Sequence, residues 1–340
     1  MAHALICPQC NAPLKPPSRF ARTLTCSYCG ATIKLDASTT ISAETFHKAF
    51  RAWNAPQNYS VASWLSLSDH HWAVAETLGA GSSCDVYHGM RARFPTELVI
   101  LKVLRDPADA PRLDNEWEML QALQKSDAPG AETFARLLPE PVMHGTVTAN
   151  AFTGRRVNII RWASGFHHTF DAVQRAYPNG IPPRASIWAW RRILEVLSFI
   201  HASGFVHGAV LPPHLLVQEN EHGVRLIDYG TAGYVGQRLQ YMTAGYDVFY
   251  PKGLRVGSLL TQQVDLVMSA RCIASILGGN PVDGSLPAAV PAPLAALLRR
   301  VAMSDPFSNT EKAWALREEL GRLADAVFGA PQFNPIVMPA

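Results

Sequence analysis

The alternation of apolar and polar positions divides the chain into three stretches. Across residues 41–55, Phe46, Phe50 and Trp53 recur at i, i+4 and i+7, one face of a helix, with Ser42 placed as its N-cap. Pro56 ends the pattern and a polar run follows to about Ser63. We therefore expect an amphipathic helix and linker over residues 38–69, its aromatic stripe laid on a neighbouring domain rather than offered to a partner. From His70 the period shortens. Residues 72–78 and 98–104 read as strands on either side of the turn Gly79-Ala-Gly81-Ser82-Ser83-Cys84. A helix over 112–125 gathers Leu113, Glu116, Trp117 and Leu120 on one face. Then come a long helix over 184–203 introduced by Pro182-Pro183, a strand over 224–227, and an apolar helix opened by Asp265 and running to 277.

Composition narrows this picture. At 340 residues and 48% hydrophobic, the chain can bury an extended core. Its net charge of +3 is too small to select a partner. The excess sits at the front, where residues 1–55 carry Lys15, Arg19, Arg22, Lys34, Lys48 and Arg51 against Asp36 and Glu44. No apolar run reaches the roughly 18–20 residues of a membrane span. No basic-then-apolar leader opens the sequence, so a cytoplasmic protein without membrane attachment is expected.

Four of the six cysteines form two C-x-x-C pairs, Cys7/Cys10 and Cys26/Cys29, and Cys84 and Cys272 stand alone. Two such pairs at this separation suit four thiolates around one tetrahedral Zn²⁺ over residues 1–37. Two disulfides or a redox dithiol are the competing readings, less suited to a chain without an export signal or a nearby βαβ unit. Four cysteine ligands leave no open position, so such a metal is structural. The segment resembles the zinc ribbons used to dock nucleic acid or protein. Counting four thiolates and one Zn²⁺ cuts the local positive charge, which weakens the nucleic-acid option.

Lys102 lies on an apolar strand, where an ammonium is expensive without a partner, and Glu116 lies on the inward face of the next helix. Gly-rich turn, strand lysine and helix glutamate, in that order, resemble the small lobe of the Ser/Thr protein-kinase-like superfamily. Further along, His207-Gly208-Ala209-Val-Leu211-Pro212-Pro-His214 aligns with H-R-D-L-K-P-x-N, and Asp228-Tyr229-Gly230 with D-F-G. Tyr250-Pro251-Lys252 falls at A-P-E, and Asp305-Pro306 with Asn309 at D-P-x-x-R, so both ends of that buried ion pair are changed.

The resemblance implies an α+β, two-lobed kinase-like fold, with a small lobe and hinge over 70–163, a large lobe over 164–328 and a tail over 329–340. It implies an ATP site at Gly79, Gly81, Ser82, Ser83, Lys102, Glu116, Arg161, Ala163 and Asp228, with Asp228 also holding Mg²⁺. Ala209 replaces the aspartate that positions the attacking hydroxyl, and Leu211 the lysine on the transferring phosphate. Transfer by the usual route should be very slow. The expected function is a pseudokinase, an ATP-binding scaffold that acts through protein partners. The alternatives are an atypical phosphoryl- or nucleotidyl-transferase using His214, or else His207, with Asp228, and a nucleic-acid adaptor working through the ribbon.

Overall fold

The computed structural model of the protein describes residues 6–7, 9–10, 12–15, 23–34, 61–92, 94–218, 222–307 and 311–338. The aromatic-striped helix expected over 41–55, and Asn309, lie outside these residues.

Near the N-terminus β1 (Thr23–Thr25) and β2 (Thr32–Lys34) form an antiparallel hairpin. Its turn carries Cys26 and Cys29. The Cys26 N–H donates to Ala31 O and the Cys7 N–H to Ala12 O, both at 2.8 Å, so the two C-x-x-C turns are closed in the same way.

The small lobe is one antiparallel sheet built from β3 (Ser63–Leu67), β4 (His70–Ala80), β5 (Cys84–Arg91), β6 (Phe94–Leu104), β7 (Pro141–Thr146), β8 (Ala149–Asn150) and β9 (Arg156–Arg161), in the order β7-β9-β6-β5-β4-β3-β8. Register assigns the two faces, because directly opposed residues point the same way. Leu65, Trp72, Val99, Leu101, Val103, Val157 and Ile159 form an apolar core on one face. Pairing of Val86 with Lys102, and of Lys102 with Asn158, places those three on the other face, towards helix α1 (Ala110–Gln124). Strand β3 falls inside the stretch expected to be linker. Leu65 and Leu67 are buried there, but five residues are too few to give a firm period.

The large lobe is helical, with α2 (Pro183–Ala202), α3 (Gln262–Ile276), α4 (Ala292–Ala302) and α5 (Ala313–Phe328). Every residue of α3 from Gln263 to Ile276 is buried, so this helix forms the axis of the lobe. Strands β10 (Phe166–Thr169), β12 (Leu215–Gln218) and β13 (Gly223–Leu226) pair as a small sheet, and β11 (Phe205–Val206) pairs with β14 (Gly233–Tyr234). Among the described residues no helix is long and apolar enough to cross a membrane.

The segment expected to be a tail after residue 328 has a structural role. Ile336 is buried, and Asn334 O accepts from Trp188 Nε1 at 2.8 Å. The Phe333 N–H donates to Cys10 O at 2.6 Å, tying this segment to the cysteine-bearing turn. Tyr28 of the ribbon meets His222 and Phe333 edge-on, at 5.3 and 5.9 Å, while His222 stacks between Trp188 and Phe333. The ribbon is thereby seated on the large lobe.

Candidate functional site

The four cysteines of the paired motifs converge, their Sγ atoms all within 4.8 Å of one another. Cys7–Cys29 and Cys10–Cys26 are each 3.7 Å apart, too far for a disulfide, and all six cysteines are free thiols. Four sulfurs at ~2.3 Å from a tetrahedral centre stand ~3.8 Å apart. The cluster therefore fits one Zn²⁺.

The second cluster lies between the lobes. Lys102 Nζ is 2.6 Å from Glu116 Oε1, and the other Glu116 oxygen accepts from Asn158 Nδ2 at 3.0 Å. That amide also donates to Leu113 O at 2.9 Å, so strand β9 holds both the carboxylate and its helix. Glu116 is 1% exposed, and a partner on each oxygen makes its charge tolerable there. Burial alone would lower the Lys102 ammonium, but the carboxylates of Asp228 and Glu116 outweigh it and raise its pKa.

Asp228 faces three basic groups. Its Oδ1 lies 3.7 Å from Lys102 Nζ, and its Oδ2 lies 3.5 Å from Arg112 Nη2 and 3.1 Å from His214 Nε2. Burial would raise this carboxyl, but Lys102, His214 and Arg112 hold it well below the usual carboxylate range. Arg112 is a site residue that sequence reasoning misses. It projects from the first turn of α1, donates to Ser82 Oγ at 2.7 Å and reaches Thr243 Oγ1 at 3.5 Å. The glycine turn, Asp228 and the segment after it thus share one guanidinium. Gly230 permits the approach, since a Cβ there would come within 2.7 Å of the Arg112 side chain. The available signal is spacing: Arg112 stands four residues before Glu116 and shares its helix face. Asn115 adds a second tie, donating to the carbonyls of Gly230 and Ala232 at 3.1 and 2.9 Å.

Ser82 and Ser83 are held from the far side as well. Arg105 Nη2 donates to Gly81 O and to Ser82 O, and the Arg105 N–H to Ser83 O at 2.9 Å. Gly79 has open space where a Cβ would stand. Cys84 turns away into a small apolar cluster with Leu104 and Leu113. At the junction between the lobes the Trp162 N–H donates to Leu98 O, whereas the Ala163 N–H has no partner among the described residues. The Arg161 side chain points to Glu140 and Glu97, 2.8 and 3.5 Å away.

The loop carrying Ala209 is anchored from below. Asp265, on α3, accepts from the N–H groups of His207 and Gly208 at 2.8 Å each and lies 2.9 Å from His201 Nε2. Gly208 has φ +73°, and a Cβ there would stand 3.1 Å from Thr231 O, so any side chain at this position, an arginine included, is strained and crowded. Ala209 and Leu211 are wholly buried in the large-lobe core. His207 is buried too, its ring edge on Tyr229 at 4.6 Å, and burial pushes its pKa down to about 4. His214 Nδ1 lies 2.8 Å from Ala209 O while Nε2 faces Asp228. Both partners are acceptors. Each ring nitrogen thus already has a partner within this chain.

Mg²⁺ prefers an open octahedron of oxygens. Asp228 as arranged has both oxygens facing cations, and His214 offers nitrogen where oxygen is wanted, so a metal there requires Arg112 and His214 to withdraw. The site is already balanced, Lys102 and Arg112 against Glu116 and Asp228.

Lys252 is exposed, with no buried carboxylate in its place, but the region is not free of buried charge. Arg271 on α3 is 5% exposed and donates to the carbonyls of Val248, Tyr250 and Ala302 at 2.6–3.0 Å. Carbonyls there take the part of an ion pair in holding the segment around Tyr250 to α3.

No protein-family model and no curated protein sequence matches the chain. Solved structures do. Vaccinia related kinase 3 superposes with a TM-score of 0.61 over 87% of this chain and 100% of that one. The BubR1 kinase domain gives 0.58 over 83% and 91%. Identity is 16% in each case. The chain has a protein-kinase fold. At such identity the likeness speaks for architecture, and the chemistry must be argued from the side chains above.

Proposed function

We propose that the protein is a catalytically impaired kinase-fold scaffold whose interlobe cleft takes a nucleotide through its phosphates without Mg²⁺. The observation that carries this is the pairing of Asp228 with Arg112 and His214, beside a loop whose Ala209 is buried in the core. Phosphoryl transfer needs a group to position the attacking hydroxyl and charge to meet the moving phosphoryl. Ala209 and Leu211 offer neither, and His214 is occupied on both nitrogens.

Binding needs less. Lys102, oriented by Glu116, and Arg112 can meet phosphate oxygens once Ser82 gives up its bond to Arg112, and the N–H of Ala163 can receive the base. Loss of the Ser82–Arg112 bond leaves the glycine turn held from Arg105 alone, so occupancy reaches the lobe surface that a protein partner would read. The four-cysteine ribbon is read as a structural zinc module that docks on this chain's own large lobe, since its described aromatic, Tyr28, is spent on that contact.

The test is turnover. Zinc-loaded protein given γ-labelled ATP and a general protein acceptor should transfer no label above background. Transfer that disappears in both Asp228→Ala and His214→Ala would instead establish an active atypical transferase.

A further inference from the structure

A cavity of about 130 Å³ lies away from the interlobe cleft, where the ribbon, α2, α5 and the segment after α5 meet. Helix α2 offers it Arg184, Ile187, Trp188, Arg191 and Arg192, which fall at i, i+3, i+4, i+7 and i+8 and so share one face. Arg317 and Phe328 come from α5, and Tyr28 from the ribbon. The basic groups converge on a half-open, partly aromatic pocket.

The charges do not balance. Four arginines line the space. Glu195 is shared by Arg192 and Arg317, at 2.5 and 3.0 Å, and Asp325 on the rim is exposed. That leaves two positive charges in excess. Arg184 donates to Ala330 O, but Arg191 has no hydrogen bond or ion pair among the described residues. Burial and the neighbouring Arg317 and Arg192 lower its pKa, and the carboxylates of Glu195 and Asp325 offset only part of this.

A second observation points the same way. His222 lines the cavity, is 4% exposed, and its Nε2 has no hydrogen-bond partner among the described residues. The ring is sandwiched by Trp188 and Phe333, which fixes its plane. Burial pushes its pKa down to about 3, so the ring is neutral at pH 7 and Nε2 can accept a hydrogen.

We infer that this cavity binds a small hydroxylated phosphate monoester, its phosphate on Arg191 and Arg184 and a hydroxyl donating to His222 Nε2. A dianion matches the charge excess, the guanidinium fork of Arg191 suits phosphate oxygens, and the space suits a small ligand such as a three-carbon polyol phosphate. Because Tyr28 and Cys10 form part of the wall, an occupied cavity also holds the ribbon down.

Calorimetric titration of the full-length, zinc-loaded protein with glycerol 3-phosphate, inorganic phosphate and glycerol tests this. Both phosphates should bind, glycerol 3-phosphate more tightly, and glycerol should not. Arg191→Gln should weaken both phosphates by about tenfold or more, the size expected for a charged hydrogen bond. His222→Phe keeps the stacked ring and should abolish only the preference for glycerol 3-phosphate. Saturating glycerol 3-phosphate should slow zinc removal by a chelator. No binding of either phosphate to the wild type, or unchanged binding in Arg191→Gln, overturns the inference. Equal affinity for the two phosphates overturns the assignment of a hydroxyl to His222.

Discussion

Arg112 and Asp228 meet across the cleft, with guanidinium Nη2 3.5 Å from carboxylate Oδ2, although one residue belongs to helix α1 and the other to the segment after β13. The contact joins the two lobes at the point where a kinase fold would place a metal ion. The contact ties the position of α1 to that of Asp228, and in the proposed function Arg112 takes the place of a divalent metal.

Removing that cation should restore a demand for an external one. In Arg112→Ala, Asp228 Oδ2 and the Ser82 hydroxyl each lose a partner. Thermal-shift titrations should then show ATP stabilising the variant more with Mg²⁺ than without, unlike the wild type. Equal shifts in the variant would mean that Arg112 does not stand in for the metal.

The Lys102–Glu116 pair should behave as a coupled unit. Lys102→Met leaves Glu116 nearly sealed from water with only Asn158 opposite, and should cost about 3 kcal/mol in chemical denaturation. Adding Glu116→Leu should recover part of that loss, a coupling that a double-mutant cycle reads directly. Strict additivity would contradict the pair.

Acid should act through Asp228 with a definite sign. Its folded pKa lies below the unfolded carboxylate value, so its contribution to stability is complete above about pH 4 and fades as pH falls through the folded value. The stability gap between wild type and Asp228→Asn should be flat from pH 8 to about 5 and close in stronger acid. A gap that widens with acid would reverse the assignment.

Restoring the family residue should not restore activity. Ala209→Asp puts a carboxylate into the large-lobe core, where burial opposes its charge. Urea unfolding should show a loss of several kcal/mol, and labelled ATP no turnover. Recovered transfer would show that the loop is less sealed than its packing implies.

Metal analysis should find one zinc per chain, lost in Cys10→Ser. Chelation should alter Trp188 fluorescence, because the ribbon's Tyr28 rests on the His222 ring that stacks with Trp188. A chelated protein with unchanged emission would mean that docking does not depend on the metal.

What the sequence discloses follows from local rules. The C-x-x-C pairs, the strand lysine, the helix glutamate and the buried Asp265 each announce themselves by spacing or by a charge among apolar neighbours. Arg112 does not, because a basic residue in the first turn of a helix reads as solvated, and its partner is far along the chain, at Asp228. Asn115 and Arg271 are hidden for a related reason: their partners are backbone carbonyls, which leave no mark in sequence. The seat of the ribbon depends on Trp188, His222 and Phe333, three separated residues that only the folded chain brings together. Strand β3 escapes notice because five residues beside a polar linker give too short a period.

The most direct measurement is the melting temperature of the wild-type protein titrated with ATP, with and without Mg²⁺. Stabilisation by ATP alone, undiminished when the metal is withheld and lost in Lys102→Met, is what the arrangement around Asp228 predicts. A shift only with Mg²⁺, or none under either condition, would contradict it.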